Sequence, residues 1–426
     1  MTNLSEYSSS QFDAKVREND PLYENCGEAN SLEHDSKATG KPLRILQFLR
    51  APVGGLFRHV CDLSIELSRR GHAVGVLCDA SATSSRIEAQ LAALAPHCTL
   101  GIHRIPLRRQ PGFSDLIAVK RAHAIISSIK PDIVHGHGAK GGALARLAGT
   151  AQKKAGHLLR IFYTPHGGSM HYDAGSLVGR FFLKFEKQMT GLTDGLIFES
   201  TFSHATYSKK IGSPRCPVSV IHNGLRPEEF AAAKHDRGDT AADFVFIGEL
   251  RHLKGVEVLL RAMAVLSKEH NVKVAIVGRG PDEERFKRLT KDLGLAERVT
   301  FHGELPARQA FSLGRCLVVP SLAESLPYIV LEGAAAGLPM ILTDVGGIPE
   351  IVEGGEIHLL QPNAVTPLAE EMQRFLHSPE IFREWADWLQ QVTRERFSVK
   401  LMVEEIENFY CRSLGAEQQH NEQIAM

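Results

Sequence analysis

No apolar run in this chain approaches the roughly 20 residues that a membrane-spanning helix needs. Charge of one sign is also missing. Lysine plus arginine equals aspartate plus glutamate at 49 each, so no global field draws the chain to nucleic acid or anionic lipid, and any such partner must meet a local patch. The seven cysteines (Cys26, Cys61, Cys78, Cys98, Cys216, Cys316 and Cys411) are scattered, without the paired C-x-x-C spacing of zinc or redox sites. They read as free thiols of a reducing compartment. The first 40 residues lack a basic stretch followed by an apolar one, so a secretory signal is not expected and a cytoplasmic protein is. No short tandem repeat is present, which excludes a solenoid. Gly278, Arg279, Gly280 and Pro281 imitate part of a dinucleotide fingerprint, but the third glycine and the downstream ribose-binding acid are absent, which argues against NAD.

What is present is an α/β pattern written twice. A length of 426 residues exceeds one core and implies two domains, at roughly 100–200 residues each. Residues 1–41 are rich in Ser, Glu, Asp and Asn and read as a disordered tail. From there, short apolar runs at 43–48, 73–78, 133–135, 159–163, 195–198 and 218–221 alternate with helical sequence, the pattern of a parallel sheet covered on both faces. A charged, loop-like stretch at 231–242 separates these from a second series of strands at 244–247, 273–277, 299–301, 316–320, 339–343 and 358–360. The expected division is 1–41 tail, 42–228 first domain, 229–396 second domain, and 397–426 a final helix and tail, the helix free to return to the first domain.

The sharpest signal lies just beyond the run that ends at Pro320. Ser325 suits an N-cap and Pro327 a first helical turn, so a helix should open here with its unpaired N–H groups and positive dipole end toward the crevice. Anions bind at such places in open α/β sheets, and a diphosphate fits. Glu324 in the preceding loop and Glu332 within the helix are suited to accept hydrogen bonds from sugar or ribose hydroxyls. A second strand runs through Gly248 into Glu249, Leu250, Arg251, His252, Leu253, Lys254 and Gly255, setting two cations where a departing diphosphate needs fixed positive partners. In the first half, Pro52, Gly54 and Gly55 form a glycine turn between strand and helix. His135 to Lys140 follow another strand, and His166 to Gly168 follow Tyr163, Thr164 and Pro165. The plainer alternatives are solvated surface charges at helical spacing and histidines that merely pack.

Glu324 and Glu332, with Gly337, Pro339, Thr343, Gly346, Gly347 and Glu350, resemble the E-x7-E block of the family 4 retaining glycosyltransferases, which have the GT-B fold. The resemblance covers residues 43–414 and implies two Rossmann-like, doubly wound parallel-sheet domains facing a central cleft. It implies transfer of a sugar, with retention, from a nucleoside-diphosphate sugar to a saccharide or lipid-linked saccharide hydroxyl. That is the chemistry of bacterial polysaccharide or glycolipid synthesis. The roles it implies are catalytic for His166, Arg251, Lys254 and Glu324. Donor binding falls to Gly54, Gly55, Gly248, Gly278, Ser325, Leu326, Pro327 and Glu332, and the acceptor side to His137 and Lys140. The family usually carries arginine directly after the glycine at 248, where this chain has Glu249, so Arg251 stands in for it. With no DxD-like acidic pair at a strand end, neither a metal nor any cofactor besides the donor is expected. Nucleic acid is not an expected partner. Peripheral contact with the inner face of the cytoplasmic membrane is, through Arg180, Lys184 and Lys187 interleaved with Phe181, Phe182 and Phe185. Two rival functions share the fold: a sugar-nucleotide epimerase, and a catalytically silent sugar-nucleotide binding protein.

Overall fold

A computed structural model describes residues 41–425 except 82, 109, 111 and 231–241, with only the backbone described at 169, 171 and 416–425. The expected tail, save residue 41, and the expected separating loop, save Ala242, lie outside the described residues. Two all-parallel sheets form. The first contains β1 (Arg44–Phe48), β2 (Ala73–Asp79), β3 (Ile102–Ile105), β4 (Ile133–His137), β5 (Arg160–Thr164), β6 (Gly195–Phe198) and β7 (Val218–Val220), in the order β3-β2-β1-β4-β5-β6-β7. The second contains β8 (Ala242–Ile247), β9 (Val274–Val277), β10 (Val299–Gly303), β11 (Gly314–Val319), β12 (Met340–Thr343) and β13 (Leu359–Leu360), in the order β10-β9-β8-β11-β12-β13.

Both sheets are doubly wound because their central strands are apolar on both faces and the connections between strands are largely helical. In β4 and β5, Ile133, Val134, Ile161, Phe162 and Tyr163 are all buried, as parallel strands between helical layers require. Strand order reverses between β1 and β4 in the first sheet and between β8 and β11 in the second. A crevice opens at such a reversal beyond the carboxyl ends of the strands. At the carboxyl ends of these strands lie Gly54 and Gly55, opening the helix after β1, His137, the last residue of β4, Lys254, in the turn after β8, and Glu324, in the loop after β11.

β3 was not legible beforehand. Its sequence, Ile-His-Arg-Ile, mixes polar and apolar residues because it is an edge strand, paired with β2 alone. The helix Val399–Ala425 returns to the first lobe. Val399, Met402, Val403, Ile406, Phe409 and Tyr410 recur at helical spacing and pack with Leu43, Ile45, Leu63, Leu67 and Phe162. Its entry is fixed by a backbone exchange in which Leu225 N–H donates to Phe397 O at 2.7 Å and Val399 N–H to Leu225 O at 2.9 Å. Among the described residues no helix is long and apolar enough to cross a membrane.

Candidate active site

The second lobe builds its half of the site from two loops held side by side. After β8 the chain passes through a short turn at His252–Lys254 and then Gly255, whose φ of 71° and whose would-be Cβ, only 1.8 Å from Pro320 O, leave room for glycine alone. The helix Val256–Leu266 follows. After β11 the loop runs alongside, with Leu322 N–H donating to Leu253 O at 2.8 Å. The outcome is a direct pairing of two residues that are 70 positions apart, Lys254 Nζ donating to Glu324 Oε1 at 2.6 Å. Ser321 Oγ donates to the same oxygen at 2.7 Å. Gly346, at φ 63°, passes under Glu324 so closely that a Cβ would lie 2.3 Å from its carbonyl oxygen.

Ser325 does not cap the helix. The helix runs Tyr328–Ala335, with Pro327 as the preceding residue and no side-chain cap. The Ser325 hydroxyl instead bonds across the cleft to Ser203 Oγ at 2.7 Å and donates to the Glu199 carboxylate. Local sequence favours the cap, but the facing lobe offers a carboxylate and a hydroxyl. Leu326 is likewise tied to the first lobe, its carbonyl accepting from Asn223 Nδ2 at 3.0 Å. Gly347 N–H donates to Ser325 O at 2.6 Å and completes the loop. Gly248 and Gly278 lie in the neighbouring loops, donating to Val277 O at 3.0 Å and Gly303 O at 2.7 Å.

Glu332 meets a residue that sequence reasoning missed. Arg58, on the helix Gly54–Arg69, bonds to Glu332, lies 2.6 Å from Glu229, reaches Asp62 at 3.5 Å and sits 4.3 Å from the centre of the Tyr328 ring. Burial alone would lower the guanidinium pKa, but Glu332, Glu229 and Asp62 more than offset this and hold Arg58 firmly charged. Beside it, Gly55 faces the Tyr328 ring, which a Cβ would approach to 3.2 Å. Arg251 points elsewhere: it lies 3.4 Å from Glu249 and is 44% exposed. Lys140 is also engaged, with Asp115 at 2.9 Å and Gln110 O at 3.1 Å.

Histidines fill the first lobe's side of the cleft. His137 ends β4, and His166, in the turn after β5, adopts φ 47°, a backbone state uncommon for a residue with a side chain. His137 Nδ1 and His166 Nε2 are 3.1 Å apart, and the His59 ring lies 4.8 Å from that of His166. Burial pushes His59 down to about 3, aided by His166, and burial pushes His166 down to about 3 as well. These rings are therefore neutral at physiological pH. His59 Nδ1 lies 3.1 Å from Asn223 Oδ1, so one amide joins the histidine cluster to the Leu326 carbonyl of the second lobe.

Two parallel α/β lobes joined at their switch points, with basic and acidic side chains gathered between them, define a two-lobed transferase of the GT-B class. Comparison with known proteins agrees. The family description "Glycosyltransferase Family 4" matches residues 53–229, and "Glycosyl transferases group 1" matches residues 227–388. A Bacillus subtilis relative described as "Putative glycosyltransferase EpsD" is 30% identical over 325 residues, covering 72% of this chain and 83% of that protein. Among solved structures, sucrose-phosphate synthase from Thermosynechococcus elongatus superposes with a TM-score of 0.72 at 21% identity, covering 88% of this chain and all (100%) of that one. Anabaena HepE, solved in complex with UDP-glucose, gives 0.70 at 18% identity, covering 87% of this chain and 100% of that one. The chain belongs to the group 1, family 4 glycosyltransferases.

Proposed function

We propose that the protein transfers a sugar from a nucleoside-diphosphate sugar, with uridine as the first base to test, to a hydroxyl acceptor with retention of anomeric configuration. The observation that carries this reading is the Lys254–Glu324 pair at the β8/β11 crevice, beside the opening of the helix Tyr328–Ala335. The ammonium and the unpaired N–H groups of the helix's first turn are the positive partners that a leaving diphosphate requires. Glu324, anchored by Lys254 and Ser321, keeps a carboxylate oxygen for a hydroxyl of the transferring sugar. HepE in complex with UDP-glucose supports a uridine donor.

Glu332 is the ribose partner in this reading, and Arg58 must yield its place when the donor enters. His166, neutral at working pH, serves as a hydrogen-bonding contact to the sugar and not as a proton source. Arg251 reaches the diphosphate only after leaving Glu249, and Lys140 serves the acceptor side through the loop it holds. The acceptor hydroxyl attacks from the face the diphosphate leaves, and the departing diphosphate takes its proton.

The acceptor is a saccharide or lipid-linked saccharide in bacterial polysaccharide or glycolipid synthesis, met at the inner face of the cytoplasmic membrane. The helix Leu177–Thr190 supports this, exposing Leu177, Val178 and Phe181 beside Arg180, Lys184 and Lys187, a pattern that suits an anionic lipid surface. Co-sedimentation with anionic vesicles should fall when Phe181 and Leu177 are both replaced by serine; unchanged sedimentation would remove the membrane assignment.

Sugar transfer from UDP-sugars to a panel of saccharide acceptors is the functional test, with donor consumption measured with and without acceptor. Acceptor-dependent release of UDP that disappears in Lys254→Ala, with folding retained, supports the transferase. Conversion of donor to an isomeric UDP-sugar without acceptor would establish an epimerase. Donor binding without turnover in either assay would establish a silent binding protein.

A further inference from the structure

We propose that His59, His137 and His166 together bind one divalent transition-metal ion, zinc or a close congener, on the first lobe's side of the cleft. One nitrogen from each ring lies within 4.8 Å of the other two. Three nitrogens around a zinc ion, at about 2.0–2.1 Å each, sit roughly 3.3 Å from one another. The His137–His166 spacing of 3.1 Å is already close to that, and binding requires the His59 ring to close in from a spacing of at most 4.8 Å.

Which nitrogens carry lone pairs is decided by the groups behind the rings. Asn223 donates its Nδ2 to Leu326 O, which turns its Oδ1 toward His59 and requires the proton of that ring on Nδ1. His59 Nε2 is then left with an unprotonated lone pair, and it is buried with no hydrogen-bond partner. A buried unpaired acceptor is costly and calls for an explanation. His137 repeats the arrangement, with Nε2 at 2.8 Å from Gln47 Oε1 and Nδ1 left to face His166. Metal-bound histidines are commonly held in this way, the far N–H donating to a fixed oxygen.

The donor set selects the metal. Three imidazoles without thiolate or carboxylate suit zinc, copper, nickel or iron and not magnesium or calcium. In the metal-free form His166 Nε2–H donates to His137. With a metal bound, that proton moves to Nδ1, where it remains free to meet a sugar oxygen. Three protein ligands leave a zinc ion one position for water or a hydroxyl. This departs from the expectation of a metal-free enzyme and does not depend on the donor assignment.

The test is a titration of the chelator-treated, full-length protein with Co²⁺, without donor sugar, followed by visible absorption and by the unfolding midpoint. We expect saturation at one equivalent with the absorption of a low-coordinate cobalt centre, a raised midpoint, and displacement by Zn²⁺. His59→Phe, which keeps a ring, and His166→Gln, at a partly exposed position, should each weaken binding more than about 10-fold. His270→Ala, remote from the cluster, should bind as the wild type does. Absence of stoichiometric binding, or binding indifferent to either His59→Phe or His166→Gln, overturns the proposal and leaves the His137–His166 contact as a plain hydrogen bond. Folding is checked in each variant by its metal-free unfolding midpoint, and either variant alone decides the question.

Discussion

Lys254 and Glu324 hold each other in a geometry suited to a ligand that carries both negative charge and hydroxyls. Glu324→Gln keeps the shape and removes the charge, so it should lower kcat by roughly 10²–10³-fold with little change in stability, as measured by steady-state transfer and by thermal unfolding. Arg58→Ala leaves the buried Glu332 without its cation, while Asp62 and Glu229 keep Arg226. We expect it to cost about 3–5 kcal/mol in urea unfolding, and a loss under about 1 kcal/mol would contradict the buried-cluster reading. Glu324 was legible in the sequence because it follows an apolar run and precedes Ser325 and Pro327, and Lys254 because it follows another such run and precedes Gly255. Arg58 and Ser203 were not, since their partners stand 274 and 122 positions away and no local pattern announces a contact between lobes.

The α/β alternation that reveals most strands is a local signal, and it fails where tertiary contact takes over. Ser325 looks like a cap and becomes a bridge between lobes. The reverse case is the helix Thr201–Lys210, whose first N–H groups are met from the other lobe: Glu350 accepts from Thr201 N and Phe202 N at 2.8 Å each, and from His222 at 3.2 Å. Burial works to raise the Glu350 pKa, but His222 and the two amides outweigh it and hold the carboxyl below its usual 4.5. A carboxyl depressed on folding contributes stability above its unfolded pKa and loses it as pH falls through the folded one. The difference in unfolding free energy between wild type and Glu350→Gln should therefore be largest near pH 7, about 1–2 kcal/mol, and shrink below about pH 4. A difference that grew on acidification would contradict the clasp. The returning helix gives a second prediction. Phe409, packed 5.3 Å from the Phe162 ring and 5% exposed, should cost about 3–5 kcal/mol as Phe409→Ala in chemical denaturation.

At the scale of the whole molecule, two sheets each reverse strand order at the point where their loops meet, and the chain crosses back to lock its last helix onto the first lobe. The doubling of the α/β plan made this architecture readable from sequence. The apposition of the lobes was not, because it rests on pairings such as Arg58–Glu332 that only the assembled chain creates. On the proposed function, donor entry would exchange some of those pairings for contacts with diphosphate and ribose. The most direct measurement is the unfolding midpoint of wild type and Lys254→Ala with increasing UDP. The account predicts a saturable rise for the wild type, about 2.7 kcal/mol of added stability at 100-fold excess over Kd, and none for Lys254→Ala despite an unchanged ligand-free midpoint. An equal rise in both proteins would contradict it.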